Sequence, residues 1–145
     1  MFISITRLRV RHWWYLPEFL WRSRQSTAQA GKAEGFIGGY TLADRHRTFW
    51  TMTGWKDEAA MRAYRGSGAH RAVMPKLANW CDEAMVAHFQ ADELPTWSEA
   101  WQRMSASGRL TPVAHPSEGQ KAKRIAEPRT QPLIQQVLKP ASVRA

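Results

Sequence analysis

The segment that most constrains the fold is 47–55, whose sequence Arg-Thr-Phe-Trp-Thr-Met-Thr-Gly-Trp has the aromatic and threonine content of a β-strand. Side chains of a strand alternate between its two sides, so Phe49 and Trp55 fall on one side and Trp50 and Met52 on the other. Because both sides carry large side chains, this strand is predicted to lie in the middle of a sheet that is covered on both faces.

The segments on either side of this strand alternate between strand and helix patterns. Further strands are predicted over 2–10, 34–42 and 83–90. Helices are predicted over 18–30 and from 56 to the glycines at 66–68, with a further helical piece from 69 that bends or ends at Pro75. The resulting order, β-α-β-β-α-β, is that of the ferredoxin-like α+β fold. Three glycines in the second strand indicate a bulge or a close approach by another group.

A third helix and a tail follow the four predicted strands. Thr96 as N-cap and Glu99 three residues later form a capping box at the start of that helix. Beyond the helix the chain has five prolines and few large apolar residues, a composition typical of an extended arm or a disordered tail. We therefore predict a domain at 1–108 and an extended or disordered basic tail at 109–145, within which 133–138 has the composition of a short docked element.

A four-stranded sheet with its helices on one face leaves its other face uncovered. An apolar face of this size in a small domain is normally a surface for a partner, and a two-fold symmetric pair is the commonest way to cover it. We therefore predict a homodimer in which two sheets form a dimeric α+β barrel, with the third helix and the tail reaching across the partner.

The formal net charge of +9 raises the question of a nucleic-acid partner. Residues 106–145 carry seven basic and two acidic side chains, so more than half of the excess lies in the tail, and the remaining basic residues are mixed with acids. We expect a solvated basic surface and no nucleic-acid partner.

The N-terminal segment places the apolar residues 2–5 before its arginines, the reverse of the order in a signal peptide. No window is apolar over the length that crosses a bilayer. A cytoplasmic protein without stable membrane insertion is expected. Segment 11–17, Arg-His-Trp-Trp-Tyr-Leu-Pro, allows two interpretations: tryptophan beside arginine favours a membrane interface, and packing beneath the first helix is the simpler explanation.

Several kinds of chemistry are excluded by the absence of their motifs. Cys81 is the only cysteine, which excludes an intramolecular disulfide and a cysteine metal cage, and no metal site is predicted. The sequence contains neither a glycine-rich phosphate loop nor a nucleophile elbow.

Parts of the chain resemble the dimeric α+β barrel superfamily, in particular the antibiotic-biosynthesis-monooxygenase type and the spheroidene-monooxygenase-like proteins. The shared pattern is a strand that ends in a tryptophan, here Trp55, then a helix that begins with acids, then a Ser-x-x-His step before the next helical piece. The likeness covers about residues 2–104. It is carried by the segments 17–21, 49–64, 67–71 and 80–84.

This resemblance implies a monooxygenase-like protein acting on an apolar or aromatic small molecule in a pocket between the sheet and the helices. It leaves the cofactor open, because such monooxygenases often use neither metal nor flavin, whereas spheroidene-monooxygenase-like members are associated with haem. The alternatives are a non-catalytic dimer that binds haem or a small ligand, and a dimeric scaffold whose basic tail contacts an acidic partner. Met74 stands near the place where haem-degrading relatives carry an iron-ligating histidine, so the likeness does not extend to that reaction.

Two candidate residues lie on the predicted helices. His70 follows the Gly-Ser-Gly break at 66–68 and is the candidate catalytic residue, as a proton shuttle near neutral pH or an iron ligand. A histidine that bonds to the backbone at the start of a helix is the alternative. Arg24 lies near Trp21 and Ala28 on the first helix and is a candidate for binding an anionic group, with a solvated arginine as the alternative.

Three further substrate-binding candidates lie on strands. Trp50 and Trp55 point to opposite faces of the central strand, so at most one of them lines the pocket, and packing in the core or in a dimer interface is the alternative for each. His88 shares a strand face with Val86 and is either a buried, hydrogen-bonded histidine or a second polar group in the pocket.

Overall fold

The computed structural model describes residues 1–141 and contains one six-stranded antiparallel sheet. Its strands are β1 (Phe2–Val10), β2 (Phe36–Asp44), β3 (Thr48–Trp55), β4 (Cys81–Gln90), β5 (Arg109–Leu110) and β6 (Gln135–Leu138). Its helices are α1 (Leu16–Lys32), α2 (Glu58–Arg65), α3 (Gly68–Trp80), α4 (Trp97–Ser107) and α5 (Glu118–Lys121), with a 3-10 turn at Trp13–Tyr15. The strand order is β5-β4-β1-β3-β2-β6.

The four central strands and the helices between them form the ferredoxin-like β-α-β-β-α-β arrangement, which confirms the predicted α+β fold class. β3 pairs with β1 on one side and β2 on the other, so that Trp50 stands opposite Arg7 and Leu42. The strand predicted to be central is therefore central.

β2 begins and ends two residues later than predicted, at Phe36 and Asp44, so its connection to β3 also comes later in the chain. The pairing of β2 with β3 shifts by one residue at a bulge between Phe36 and Gly38. The connection is a tight turn at 45–48, in which His46 and Arg47 have left-handed backbone, with φ of 58° and 59°. Two consecutive left-handed residues match the twist of antiparallel strands, but a His-Arg pair carries no turn signal in the sequence.

A close backbone approach explains one glycine of β2. A Cβ atom at Gly39 would overlap the carbonyl oxygen of Met52 on β3, whereas at Gly38 the nearest heavy atom would lie 3.5 Å away. The close approach predicted from the glycines is thus confirmed at Gly39.

The helical piece that begins near residue 69 does not end at Pro75, one of the two predicted outcomes, because α3 continues to Trp80. Pro75 lacks the N–H that would bond to the carbonyl group of Arg71, and both residues are exposed, so water can satisfy that carbonyl. Val73 and Trp80 are buried and hold the other side of the helix against the sheet.

The two faces of the sheet have different covers. α1, α2 and α3 lie on one face, here called the helix face, and α4 packs on the other, the far face. The far-face cluster consists of Ile3, Ile5, Leu42, Trp50, Met52, Met85, Ala87, Trp97, Ala100 and Met104. Because the last three belong to α4, the chain covers its own far face, and the premise that a second copy must do so was wrong. The homodimer stays a prediction. An uncovered sheet face no longer supports it, because α4 covers that face.

Residues 109–141 contact the sheet at several points through strand pairing and hydrogen bonds. β5 pairs with β4, and β6 pairs with β2, so the predicted docked element at 133–138 contains a strand. Between these strands, Gln120 Oε1 accepts a hydrogen bond from Ala84 N over 3.0 Å, and Gln120 Nε2 donates to Thr111 O over 3.0 Å. The division into a domain and a tail stays a prediction, and residues 142–145 of that tail lie outside the described residues.

Candidate functional site

A row of hydroxyl side chains crosses the middle of the helix face. We call it the hydroxyl row: Ser4, Thr6, Thr51 and Thr53. The register of β1 with β4 continues the row to His88 and Val86. Ser4 and Thr6 are only half-buried, although β1 has a paired strand on each side. Their exposure must therefore come from the helix face, which means that space open to solvent reaches the centre of the sheet beneath the helices.

Two apolar clusters bound the hydroxyl row. Phe2, Trp55 and Met61 belong to the cluster at one end, and Phe19 and Val73 belong to the cluster at the other. The far face at the same strand positions is closed, since its side chains pack directly against α4. The space on the helix face thus has apolar ends and a polar floor, a combination that suits an apolar molecule bearing one or two oxygen atoms.

His88 lies at the β4 end of this space. It is half-buried, and its ring lies 5.4 Å from the ring of Phe2. Burial lowers the pKa of His88 below its ordinary value, and the positive charges of Arg109 and Arg65 lower it further. The imidazole is therefore neutral at neutral pH and can accept a hydrogen bond or a proton.

His70 lies in the first turn of α3, where the Ser67 N-cap follows the end of α2. Its Nδ1 atom is 3.3 Å from the carbonyl oxygen of Arg65, and its backbone N–H donates to Gln29 Oε1 over 2.8 Å. Burial is the main reason that the pKa of His70 is lowered. These are the contacts of a histidine that bonds to the backbone at a helix start; when Nδ1 carries the hydrogen, Nε2 is left as an acceptor.

Tyr64 connects His70 with the apolar cluster at one end of the hydroxyl row. Its ring lies 4.8 Å from that of His70 and 5.0 Å from that of Trp55, and its hydroxyl donates to Ser26 O over 3.0 Å. Burial raises the pKa of Tyr64, so its hydroxyl stays protonated. Tyr64 also lines an open groove of about 800 Å³ between α1 and α2, to which Gln29 contributes. The groove is therefore open to solvent next to Tyr64.

The two tryptophan candidates lie on opposite faces of β3, as the alternation of the strand predicts, and both are wholly buried. The Trp55 indole N–H donates to Thr53 Oγ1 over 2.9 Å. The Trp50 indole N–H has no acceptor among residues 1–141. Neither ring is available to a ligand in this arrangement, which matches the packing alternative for both residues.

Arg24 lies on the exposed side of α1, away from the hydroxyl row. Its carbonyl oxygen accepts a hydrogen bond from the Thr27 hydroxyl, a contact within the helix. The strand register therefore places His88 beside Ser4 on the helix face, whereas His70 contacts Tyr64 and the backbone at the start of α3, and Arg24 lies outside the site.

Sequence reasoning missed the hydroxyl row and Tyr64. The available signal for the row was the placement of Ser4 and Thr6 two residues apart on one strand and of Thr51 and Thr53 on the next. For Tyr64 the pattern of α2 offered no signal that separated it from an ordinary core residue.

The described side chains form neither a metal-binding cluster nor a reactive thiol. Within residues 1–141, no three His, Cys, Asp or Glu side chains gather closely enough to hold a metal ion. Burial raises the pKa of the Cys81 thiol to about 12, which keeps it protonated and unreactive.

One family model matches this chain: a domain of unknown function, DUF3291, over residues 15–114. None of the curated proteins matches the chain.

Solved structures of antibiotic biosynthesis monooxygenases are similar to this chain in fold. A Nitrosomonas europaea protein provisionally assigned to that group shares 16% identity, with 64% of this chain and 100% of that one covered and a TM-score of 0.56. A Deinococcus radiodurans protein with the same provisional assignment shares 15% identity over 66% of this chain and 97% of its own, with a TM-score of 0.54. SnoaB, a cofactor-independent oxygenase from Streptomyces nogalater, shares 17% identity over 63% and 93%, with a TM-score of 0.50. Likeness at this level confirms the recognised fold and carries no reaction with it.

Proposed function

Because this chain belongs to the DUF3291 family, and because its fold is that of the antibiotic biosynthesis monooxygenases, we propose that it is a monooxygenase-like protein that binds an apolar or aromatic small molecule. The ligand occupies the space between the hydroxyl row and helices α1, α2 and α3.

The observation that carries this proposal is the half-burial of Ser4 and Thr6 at the centre of the sheet. A solid core would exclude solvent most completely at this position, as the far face does at Ile3 and Ile5, which are wholly buried on the same strand. Thr53 is buried and already accepts from the Trp55 indole, whereas the hydroxyl groups of Ser4, Thr6 and Thr51 are half-buried, and a bound ligand with polar substituents would pair with them.

The two histidines supply the acid–base groups of the proposal. A substrate with an acidic hydroxyl delivers its proton to a neutral imidazole, and the lowered pKa values of His70 and His88 keep both rings neutral near pH 7. In an oxygenation of 1-naphthol, one oxygen atom of dioxygen would enter the ring to give 1,4-naphthoquinone and the other would leave as water. The substrate supplies the electrons, so this reaction balances without a further reductant.

The residues fit haem poorly. Met74, near the place where haem-degrading relatives carry an iron ligand, is exposed on α3, and Arg24, the candidate partner for a propionate, is exposed on α1. No step is therefore assigned to haem, and haem binding is one outcome of the test.

The test is calorimetric titration of the purified protein with 1-naphthol. We expect binding that is lost in Ser4→Phe, which fills the space, and kept in Ser105→Phe, which adds the same ring to the exposed side of α4. Ser4→Ala, which removes only the hydroxyl, should weaken binding by about fivefold to tenfold, as the loss of one hydrogen bond does. Circular dichroism establishes that each variant is folded.

Four results would count against the proposal or its parts. Absent binding, or binding that Ser4→Phe leaves unchanged, overturns the location of the site. Bound 1-naphthol without oxygen uptake or naphthoquinone leaves a small-ligand binding protein. A strong absorbance band in the haem region after addition of haemin favours the haem-binding alternative, and full activity of His70→Ala rejects the role of His70.

A further inference from the structure

Four large apolar side chains of the 3-10 turn and the first half of α1 are exposed to solvent. The exposed fractions are 70% for Trp13, 55% for Trp14, 48% for Leu20 and 59% for Trp21. Packing beneath the first helix was the simpler sequence interpretation for the first two residues, and it was wrong. We call these four residues the tryptophan patch.

The four residues lie close together in the chain. Leu20 and Trp21 lie with Arg24 on the exposed side of α1, and the 3-10 turn that carries Trp13 and Trp14 immediately precedes this helix. The opposite side of α1 carries the buried residues, among them Phe19 and Ala30. With roughly 250 Å² for each tryptophan, the patch exposes on the order of 500 Å² of mostly apolar surface, as large as the largest patch of a typical monomer.

Contacts on the protein side hold the aromatic residues in place. The Trp14 ring stacks on the His12 ring with centroids 4.1 Å apart, and the Trp13 ring stands edge-on to Trp14 at 6.0 Å. Arg11 anchors the turn by donating to the carbonyl oxygen of Asn79 over 3.2 Å. The exposed rings are thus held by the fold in a defined arrangement, and they lose little conformational freedom when a partner covers them.

The surroundings of the patch are basic. Arg24 lies beside Trp21 on the exposed side of α1, and the one acid of this helix, Glu18, lies 3.6 Å from Arg22, so that these two charges offset each other. The whole chain has a net charge of +9. A second copy on this surface would bring arginines against arginines, whereas an anionic surface attracts them.

We propose that the tryptophan patch binds the surface of membranes that contain anionic lipids. Tryptophan is favoured at the level of the lipid headgroups, and basic side chains beside an apolar helix face add attraction to anionic lipids. Within residues 1–141, no helix is long and apolar enough to cross a bilayer, so the contact is peripheral. This inference goes beyond the proposed function and does not depend on it.

The test is co-sedimentation of the full chain with vesicles of phosphatidylcholine alone and of phosphatidylcholine with phosphatidylserine. We expect binding that is stronger to the second kind, weaker at high salt, and accompanied by a blue shift of tryptophan fluorescence. The double variant Trp13→Ala, Trp21→Ala should bind vesicles at least about tenfold more weakly, because it removes most of the apolar area that enters the membrane surface. Arg22→Gln with Arg24→Gln should reduce only the preference for phosphatidylserine.

A matched control comes from an exposed apolar residue elsewhere. Ile134 is 55% exposed near β6, and Ile134→Ala should leave vesicle binding unchanged. Absent vesicle binding, or equal loss in Ile134→Ala and the tryptophan variant, overturns the proposal. A light-scattering mass of two chains that the tryptophan variant converts to one, without vesicle binding, would assign the patch to self-association instead. Failure of 1-naphthol binding would leave this proposal unaffected.

Discussion

The indole N–H of Trp55 donates a hydrogen bond to Thr53 Oγ1 over 2.9 Å, between two residues that share the helix face of β3. On the opposite face of the same strand, the indole N–H of Trp50 is equally buried and has no acceptor within residues 1–141. The two tryptophans therefore differ in hydrogen bonding and not in burial, which makes them a matched pair.

Replacement of each tryptophan by phenylalanine should separate the contribution of the hydrogen bond from that of the buried ring. Trp55→Phe loses ring volume and a buried hydrogen bond, whereas Trp50→Phe loses the same volume and removes an unsatisfied donor. We expect the unfolding free energy to fall by about 1 kcal/mol more in Trp55→Phe than in Trp50→Phe. Urea denaturation measures the difference, and equal losses would show that the hydrogen bond contributes no net stability.

The stability that α4 contributes by packing on the far face can be measured with a variant of Met104. This side chain is wholly buried, and Met104→Ala should lower the unfolding free energy by about 2–5 kcal/mol, as other truncations in a core do. Met74 is 39% exposed, so Met74→Ala should change it by less than about 0.5 kcal/mol. A small effect of Met104→Ala would mean that α4 does not cover the far face in solution.

The glycines of β2 offer a second matched pair. Gly39→Ala places a methyl group against the Met52 carbonyl oxygen and should cost about 1–3 kcal/mol, because β2 and β3 must separate locally. Gly38→Ala meets its nearest atom at an ordinary 3.5 Å and should be close to neutral. Thermal unfolding distinguishes the two, and similar melting temperatures would contradict the predicted approach of β3 to Gly39.

The histidines of the site predict how stability depends on pH. The pKa values of His70 and His88 are lowered in the folded protein by burial, so below their ordinary value of about 6.5 the unfolded chain binds more protons than the folded one. The unfolding free energy is therefore fully retained above about pH 6.5 and falls as the pH drops through the folded pKa values.

Urea denaturation between about pH 8 and pH 5 measures this slope. His70→Gln should flatten it in part, and the double variant with His88→Gln should flatten it further. NMR titration should give both histidines midpoints below the ordinary histidine value. An unchanged slope in the double variant would show that these two rings do not control the acid sensitivity.

Much of the fold could be predicted because its signals are local. Alternation along 47–55 indicated a central strand, and the capping box at the start of α4 forms as expected, with Glu99 N donating to Thr96 Oγ1 over 3.2 Å. The continuation of α3 through Pro75 could not be predicted, because it depends on the burial of Val73 and Trp80 against the sheet.

The candidate site could be predicted only in part. His70 and His88 were proposed from residue type and from strand alternation; His88 lies beside Ser4 on the helix face, and the role of His70 stays a prediction. The hydroxyl row was missed because serine and threonine in a strand usually indicate a solvated face, and only the placement of the helices shows that this face lies beneath them. Arg24 was a candidate for binding an anionic group, with a solvated arginine as the alternative, and it lies on the exposed side of α1, which matches the alternative.

The sequence by itself determined the order of the four central strands and the helices between them, the residues that share a strand face, and the capping box of α4. These features depend on side-chain alternation and on hydrogen bonds between residues close in the chain, so a few consecutive residues are enough to predict them. Only the tertiary structure decided that α4 covers the far face and that Trp13 and Trp21 remain exposed. Apolar side chains of similar character compete for the same buried surface, and which of them is buried depends on contacts between segments distant in the chain.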